Sequence, residues 1–201
     1  MLTVGLTGGL ATGKTSVGRY FSELGCLVIR YDDIGHQVLE PTGEAYPAVV
    51  AEFGMDILHP DGTIDRRILA GKVFSHPDRL ERLNALVHPP AHARVAAQLA
   101  DYARTHPDGI AVIEAAILIE TGSYKEYDRL IVAVCRPEQQ IERAMGRDGL
   151  TRQEVLDRLS RQMPLEDKIK YADFVIDTSG TKEETREQTR RVFAMLRSLK
   201  P

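Results

Sequence analysis

The sequence predicts an α/β fold: a parallel sheet with helices on both faces. Three observations carry this. Short runs rich in Val and Ile recur at residues 2–6, 27–29, 110–113, 130–134 and 174–176, giving five strands. The runs are almost wholly apolar rather than alternating, as strands covered on both faces require. Between them, apolar residues recur every three to four positions, the spacing of amphipathic helices that pack on a sheet.

Taken in order, the first strand leads through a Gly-rich turn into a helix whose apolar face is Val17, Tyr20, Phe21 and Leu24, with Gly25 as its C-terminal stop. The second strand runs into Ile29-Arg30-Tyr31-Asp32-Asp33-Ile34-Gly35-His36, with a helix expected from about Ile34. The stretch 41–108 is too long for a simple crossover. It carries helical patterns at 45–53, 66–74, 77–87 and 91–104 and a Pro60-Asp61-Gly62 turn, so a mainly helical insertion is expected. Thr151 with Glu154 is a capping box opening a helix whose face is Val155, Leu156, Leu159 and Met163. Thr181 with Glu184 is a second box, opening a helix to about Leu199. The expected organisation is a core of residues 1–40, 109–142 and 172–201, an insertion of 41–108 and a helical lid of 143–171.

Composition narrows the functional classes. The 201 residues are 43% hydrophobic and 27% charged, enough for a packed core and incompatible with wholesale disorder. Lys+Arg 26 against Asp+Glu 29 gives a net charge of −3, which argues against broad nucleic-acid or anionic-membrane binding. No run approaches the roughly 18 apolar residues of a membrane span, and the first residues enter a strand without a basic leader, so a cytoplasmic protein is expected. Cys26 and Cys135 have no metal-ligand spacing and read as buried, reduced thiols.

The chemistry begins at Gly8-Gly9-Leu10-Ala11-Thr12-Gly13-Lys14-Thr15, a complete G-x-x-x-x-G-K-[ST] phosphate loop between a strand and a helix. A chance match is expected in roughly one chain of this length in 150, and the strand-loop-helix context makes it rarer. Glycines let successive N–H groups point inward, and these dipoles with the helix N-terminus surround phosphates. Gly8, Gly9, Ala11, Thr12, Gly13, Lys14, Thr15 and Ser16 are therefore the nucleotide-binding candidates, with Lys14 bridging the terminal phosphates and Thr15 giving its hydroxyl to Mg²⁺. Ligands in open parallel sheets sit beyond the carboxyl ends of the strands, which directs attention to Asp32 and Asp33. A carboxylate there accepts a proton from a substrate hydroxyl or holds Mg²⁺ through water. Asp32 is read as the functional acid, Asp33 as a cap or solvated residue.

Five arginines against three acids lie between Arg143 and Arg161. Arg143 and Arg147 are four apart on one helix face, suited to phosphoryl oxygens brought within reach when a lid closes. Arg152, Arg158 and Arg161 are read as surface charge.

These residues resemble the dephospho-CoA kinase family. The resemblance covers Leu6-Thr7-Gly8-Gly9 with Gly13-Lys14-Thr15, then Val28-Ile29, Asp32, Ile34 and His36, Arg66-Arg67-x-Leu69, Val73-Phe74, Leu83-Asn84 and His88-Pro89. It continues through Leu118-x-Glu120-x-Gly122, Gln140, Arg143, Arg147-Asp148, Gln162-Met163-Pro164, Lys168 and Ala172-Asp173-x-Val175-Ile176-Asp177. The chain departs from the family pattern in three places. Arg30 stands where an Asp is usual, Glu114-Ala-Ala116-Ile117-Leu118 stands for D-x-P-L-L, and Thr178 stands for an Asn.

The resemblance implies a P-loop kinase core of five parallel strands and an enzyme that uses ATP and Mg²⁺ to phosphorylate the ribose 3′-hydroxyl of dephospho-CoA, the last step of coenzyme A biosynthesis. It makes Asp32, Lys14 and Arg147 catalytic, and places the acceptor against Asp32, His36, Arg67, His88 and Glu120. The partners implied are ATP and dephospho-CoA, with neither nucleic acid nor membrane. Another P-loop kinase acting on a nucleoside monophosphate or sugar, or a non-catalytic nucleotide-binding module, stays open at this stage; a GTPase-type switch would need an N-K-x-D segment, which the chain lacks.

Overall fold

The computed structural model describes residues 1–73 and 76–199. Its chain divides into two compact units, residues 1–30 with 102–201 and residues 31–101. The first unit holds a five-stranded sheet of β1 (Leu2–Gly8), β2 (Leu27–Arg30), β3 (Ile110–Glu114), β4 (Arg129–Val134) and β5 (Phe174–Asp177). Strand order is β2-β3-β1-β4-β5 and every pairing is parallel. β1 lies at the centre, and its register sets Leu6 beside Glu114 of β3 on one side and Ile131 of β4 on the other. All five expected strands are present, and β3 runs one residue past its apolar run to include the acid Glu114.

Helices α1 (Lys14–Glu23) and α9 (Lys182–Ser198) cover one face of the sheet. The core there joins Val4 and Leu6 of β1, Val112, Ile131 and Ile176 to Val17 and Phe21 of α1 and Val192 and Leu196 of α9. α1 stops where its apolar face ends, and Gly25 takes φ 87, the left-handed geometry a glycine accepts without strain. Both capping boxes form: Thr151 accepts from the Glu154 N–H and Thr181 from the Glu184 N–H, with the glutamates reaching back. On the other face, Leu118, Tyr127 and Leu130 close so tightly on Gly5 that a methyl there would lie 2.9–3.1 Å from them.

Three helices follow β4: α6 (Pro137–Asp148), α7 (Arg152–Leu159) and α8 (Leu165–Ile169). Ile141, Ala144 and Val155 form a small core against Leu10 and Ala11, so α6 and α7 pack on the phosphate loop itself. The expected α7 face is corrected here. Val155 is buried but Leu156 is exposed, and Met163 lies beyond the helix. The chain leaves α7 through short i→i+3 turns at Arg161 and Gln162, because Met163 precedes Pro164 and a residue before proline disfavours helix. Cys26 and Cys135 are free and buried, and burial pushes the Cys26 thiol up to about 12, so both are inert thiols as expected.

The second unit is helical: α2 (Tyr31–Gln37), α3 (Tyr46–Phe53), α4 (Arg66–Val73) and α5 (Pro77–Thr105), whose last turn belongs to the first unit. Two expectations change. α2 starts at Tyr31 rather than near Ile34, which puts Asp32 and Asp33 in its first turn, where carboxylates favour the helix dipole. The patterns at 77–87 and 91–104 form one helix, although Pro89 and Pro90 remove two helical N–H donors. Ala91 and Val95 are buried immediately beyond, which fixes the helix on the far side of that turn. Phe74, expected at the end of α4 and in the Val73-Phe74 pair, lies outside the described residues.

Candidate active site

The phosphate loop spans the five residues between β1 and α1. Gly13, at φ 81, is the residue ahead of α1, and a side chain there would meet Thr178 at 3.1 Å. Ala11 is the one described non-glycine residue at positive φ, 54°, a strained position of the kind held by phosphate-binding loops. Gly8 is forced by contact: a Cβ would sit 2.4 Å from the Ala133 carbonyl and 2.6 Å from the Thr12 hydroxyl. Because the first of these atoms is backbone, Gly8→Ala is expected to destabilise the fold by about 2 kcal/mol or more, read as a shift in denaturation midpoint.

Lys14 folds over the loop, its Nζ donating to the carbonyls of Gly8 (3.1 Å) and Gly9 (2.8 Å). That holds an ammonium beside the inward face of the loop, where the α1 N-terminus adds its own N–H donors. Thr15, one residue on, donates its hydroxyl to Glu114 Oε1 at 2.8 Å. Glu114 closes β3 and is 7% exposed; its second oxygen, Oε2, accepts no hydrogen bond and lies 3.8 Å from Arg30 Nε. Gly18 of α1 leaves the space, since a methyl there would come within 3.0 Å of Oε2. A hydroxyl and a buried carboxylate with an oxygen to spare are hard donors of the sort Mg²⁺ takes when it also binds substrate phosphates and water. The donor set therefore fits that ion.

The segment after β4 is tied to the loop at several points. Arg143 donates to the Thr178 hydroxyl (3.0 Å) and carbonyl (2.7 Å), and the same hydroxyl donates to the Thr12 carbonyl (2.9 Å). Gln162 accepts the Leu10 N–H at 2.9 Å. Gln140 lies so close over Gly9 that a Cβ there would stand 2.5 Å from its Nε2. Lys168 is fully buried, and its Nζ donates to the Ala116 carbonyl (2.8 Å) and reaches Glu120 Oε1 at 2.8 Å. Glu120 also accepts the Met163 N–H, so this acid joins α8 and the Gln162-Met163-Pro164 turn to the chain after β3. Pairing with a carboxylate and a carbonyl is what allows a lysine to be buried there.

Arg147 makes a bidentate pair with Asp148, at 2.7 and 2.9 Å, and is largely exposed. The guanidinium holds the Asp148 carboxyl below the usual carboxylate range, and Arg158 lies 3.9 Å from the same acid.

The remaining candidates belong to the second unit. Asp32 is exposed, two residues beyond the end of β2 in the chain. His36 and Arg67 line one cleft of about 460 Å³ with Arg66, His59 and Asp65. Asp65 accepts the Arg67 and Ile68 N–H groups, and these bonds at the start of α4 lower its pKa. His88 stands edge-on to Tyr31 (6.4 Å) and His92 (6.2 Å), and burial followed by the nearby His92 pushes its pKa down.

Sequence reasoning left Glu114 out of the site, although its signal was present: an acid closing a fully apolar strand in a sheet whose carboxyl ends carry the ligands. Thr178 and Lys168 gave no comparable local signal, because their partners lie 166 and 48 residues away.

Comparison with known proteins gives a consistent result. A family model described as dephospho-CoA kinase matches residues 2–184. A dephospho-CoA kinase of Geobacter metallireducens is 40% identical over 188 residues, covering 94% of this chain and 93% of the relative. A crystal structure of a Thermus thermophilus protein superposes with a TM-score of 0.83 at 30% identity, covering 100% of this chain and 98% of that one. A dephospho-CoA kinase from Campylobacter jejuni gives a TM-score of 0.64 at 24% identity, covering 96% of each chain.

Proposed function

This chain belongs to the dephospho-CoA kinase family, and on that premise we propose how its own residues transfer the terminal phosphoryl group of ATP to the ribose 3′-hydroxyl of dephospho-CoA, the final step of coenzyme A biosynthesis. The observation that carries the reading is the loop at the end of β1, with Lys14 across its carbonyls and Thr15 against Glu114. Phosphoryl transfer asks little covalent chemistry of the protein; positioning and charge neutralisation supply the rate.

Residues 8–16 receive the phosphates through backbone N–H groups, and Lys14 exchanges its loop carbonyls for phosphate oxygens. Thr15 and Glu114 would hold Mg²⁺, which when bound neutralises the terminal phosphates. Asp32 accepts the proton of the acceptor hydroxyl, in keeping with its place just past a strand's carboxyl end. The insertion 41–108, with His36 of α2, takes the rest of the acceptor; Arg66 and Arg67 stand beside His36 in one cleft and suit its phosphates, with His88 a further acceptor contact. Residues 143–171 act as the lid; Arg143 orders Thr178 beside the phosphate loop, Glu120 fixes the base of the lid through Lys168, and Arg147 meets phosphate oxygens on closure. A cytoplasmic location belongs to the same reading. No helix among the described residues is long and apolar enough to cross a membrane.

The test is ADP release with ATP and each of dephospho-CoA, adenosine, AMP, shikimate and gluconate. Turnover on dephospho-CoA well above the others is expected; preference for another acceptor would reject the reading.

A narrower expectation concerns the lid. If Arg147 leaves Asp148 for phosphate only on closure, its contribution belongs to the transition state. Arg147→Ala should then lower kcat and kcat/KM by similar factors, roughly 10- to 100-fold, with stability within about 0.5 kcal/mol of wild type. Arg158→Ala disturbs the same acid without that role and is expected to stay within about twofold. Equal losses at the two positions would make the segment a charged structural helix.

A further inference from the structure

Resting on the reading that Thr15 and Glu114 hold the cation, we propose that Arg30 is a positioning residue for that site: its charge holds the Glu114 carboxylate and sets how weakly the cation binds there. Three observations point to it. Arg30 and Glu114 are direct partners in the parallel register of β2 and β3, each the last residue of its strand. The guanidinium Nε stands 3.8 Å from Oε2, the oxygen that accepts no hydrogen bond. The other oxygen is held by a neutral hydroxyl, that of Thr15. A carboxylate 7% exposed and touching one neutral donor is balanced by a positive charge close by, and Arg30 is the charge the register provides.

The nature of the pair also bears on how a cation would be held. The Glu114 side chain is long enough to carry its carboxylate out to the Thr15 hydroxyl. Two acids facing each other across this register would leave the end of the sheet strongly negative and attract a cation by charge alone. One acid and one arginine leave it near neutral. The divalent ion must then bind against a guanidinium that shares its carboxylate, so occupancy follows the phosphates that arrive with the nucleotide rather than the protein by itself.

Removing the charge is expected to reveal it. Mn²⁺ titrated into the enzyme saturated with ADP, followed by water-proton relaxation, should bind Arg30→Met about 3- to 10-fold more tightly than wild type. Arg30→Lys, which keeps the charge, should stay within about twofold of wild type. ADP affinity measured in EDTA should change by less than about twofold in either variant, since Arg30 acts on the carboxylate and not on the phosphates. Glu114→Gln tests the underlying cation reading and should weaken Mn²⁺ by about tenfold or more. Loss at Glu114→Gln with no change at Arg30→Met would overturn the role of Arg30 and leave the cation site standing. Unchanged Mn²⁺ affinity in Glu114→Gln would overturn both. A fall in metal-free ADP affinity in Arg30→Met would make Arg30 a nucleotide contact instead, and equal behaviour of the Lys and Met variants would show that packing, not charge, is what the position supplies.

Discussion

Lys14→Ala is expected to lower kcat/KM for dephospho-CoA phosphorylation by roughly 10³-fold while the protein remains folded. The ammonium donates to two carbonyls of the loop, those of the buried residues Gly8 and Gly9. Losing those bonds costs on the order of 1–3 kcal/mol each, a loss that a fold held by its sheet and two flanking helices is expected to absorb. In the proposed reaction the same group meets charge that grows on the transferring phosphoryl, in a site where each preorganised donor counts far more than in water. Stability and activity are thus expected to separate. ADP release and a thermal melt on the same preparation check this. A variant that turns over like wild type would remove the loop from the mechanism; one that is merely unfolded would show that Lys14 holds the loop's shape rather than the phosphates.

Much of what surrounds Lys14 was legible from local pattern, for a physical reason. A phosphate loop, a capping box or an apolar strand is defined by residues within a few positions of one another. Gly8 to Thr15, Thr151 with Glu154 and Thr181 with Glu184 therefore stand where the sequence placed them. The failures share the opposite character. Pro89-Pro90 reads locally as a break, yet α5 runs through it, with Ala91 and Val95 buried on the far side. Leu156 fits a helical face that the chain abandons three residues later, on its way to Pro164. Glu114 meets Thr15 from 99 residues away and Arg30 across a register no single strand encodes. The acid at the end of β3 was visible; what it touches was not.

Lys168 makes the same point energetically. Composition treats a lysine as surface, and Lys168 in a short polar helix gives no reason to think otherwise. Its full burial follows from two acceptors, Glu120 and the Ala116 carbonyl, and the latter also accepts the Thr7 hydroxyl at 3.1 Å. The base of the proposed lid is therefore fastened to the chain that follows Glu114 and, through Thr7, to the strand that feeds the phosphate loop.

Asp32→Asn is expected to lower kcat by roughly 10²- to 10⁴-fold while ATP still binds, the change that removes proton acceptance and keeps size and hydrogen bonding. The geometry of α2 supplies the control. Asp32 and Asp33 both lie in its first turn, so replacing either by Asn removes a similar helix-dipole interaction, about 0.3–1 kcal/mol. A loss arising from a weakened helix start should then be the same for the two variants. A loss arising from proton transfer should fall on Asp32 alone, with Asp33→Asn close to wild type. Steady-state kinetics on both, with ATP affinity measured separately, distinguishes the cases. Unchanged kcat with a raised KM for the acceptor would make Asp32 a binding residue, and a large catalytic loss at Asp33 with none at Asp32 would exchange their roles.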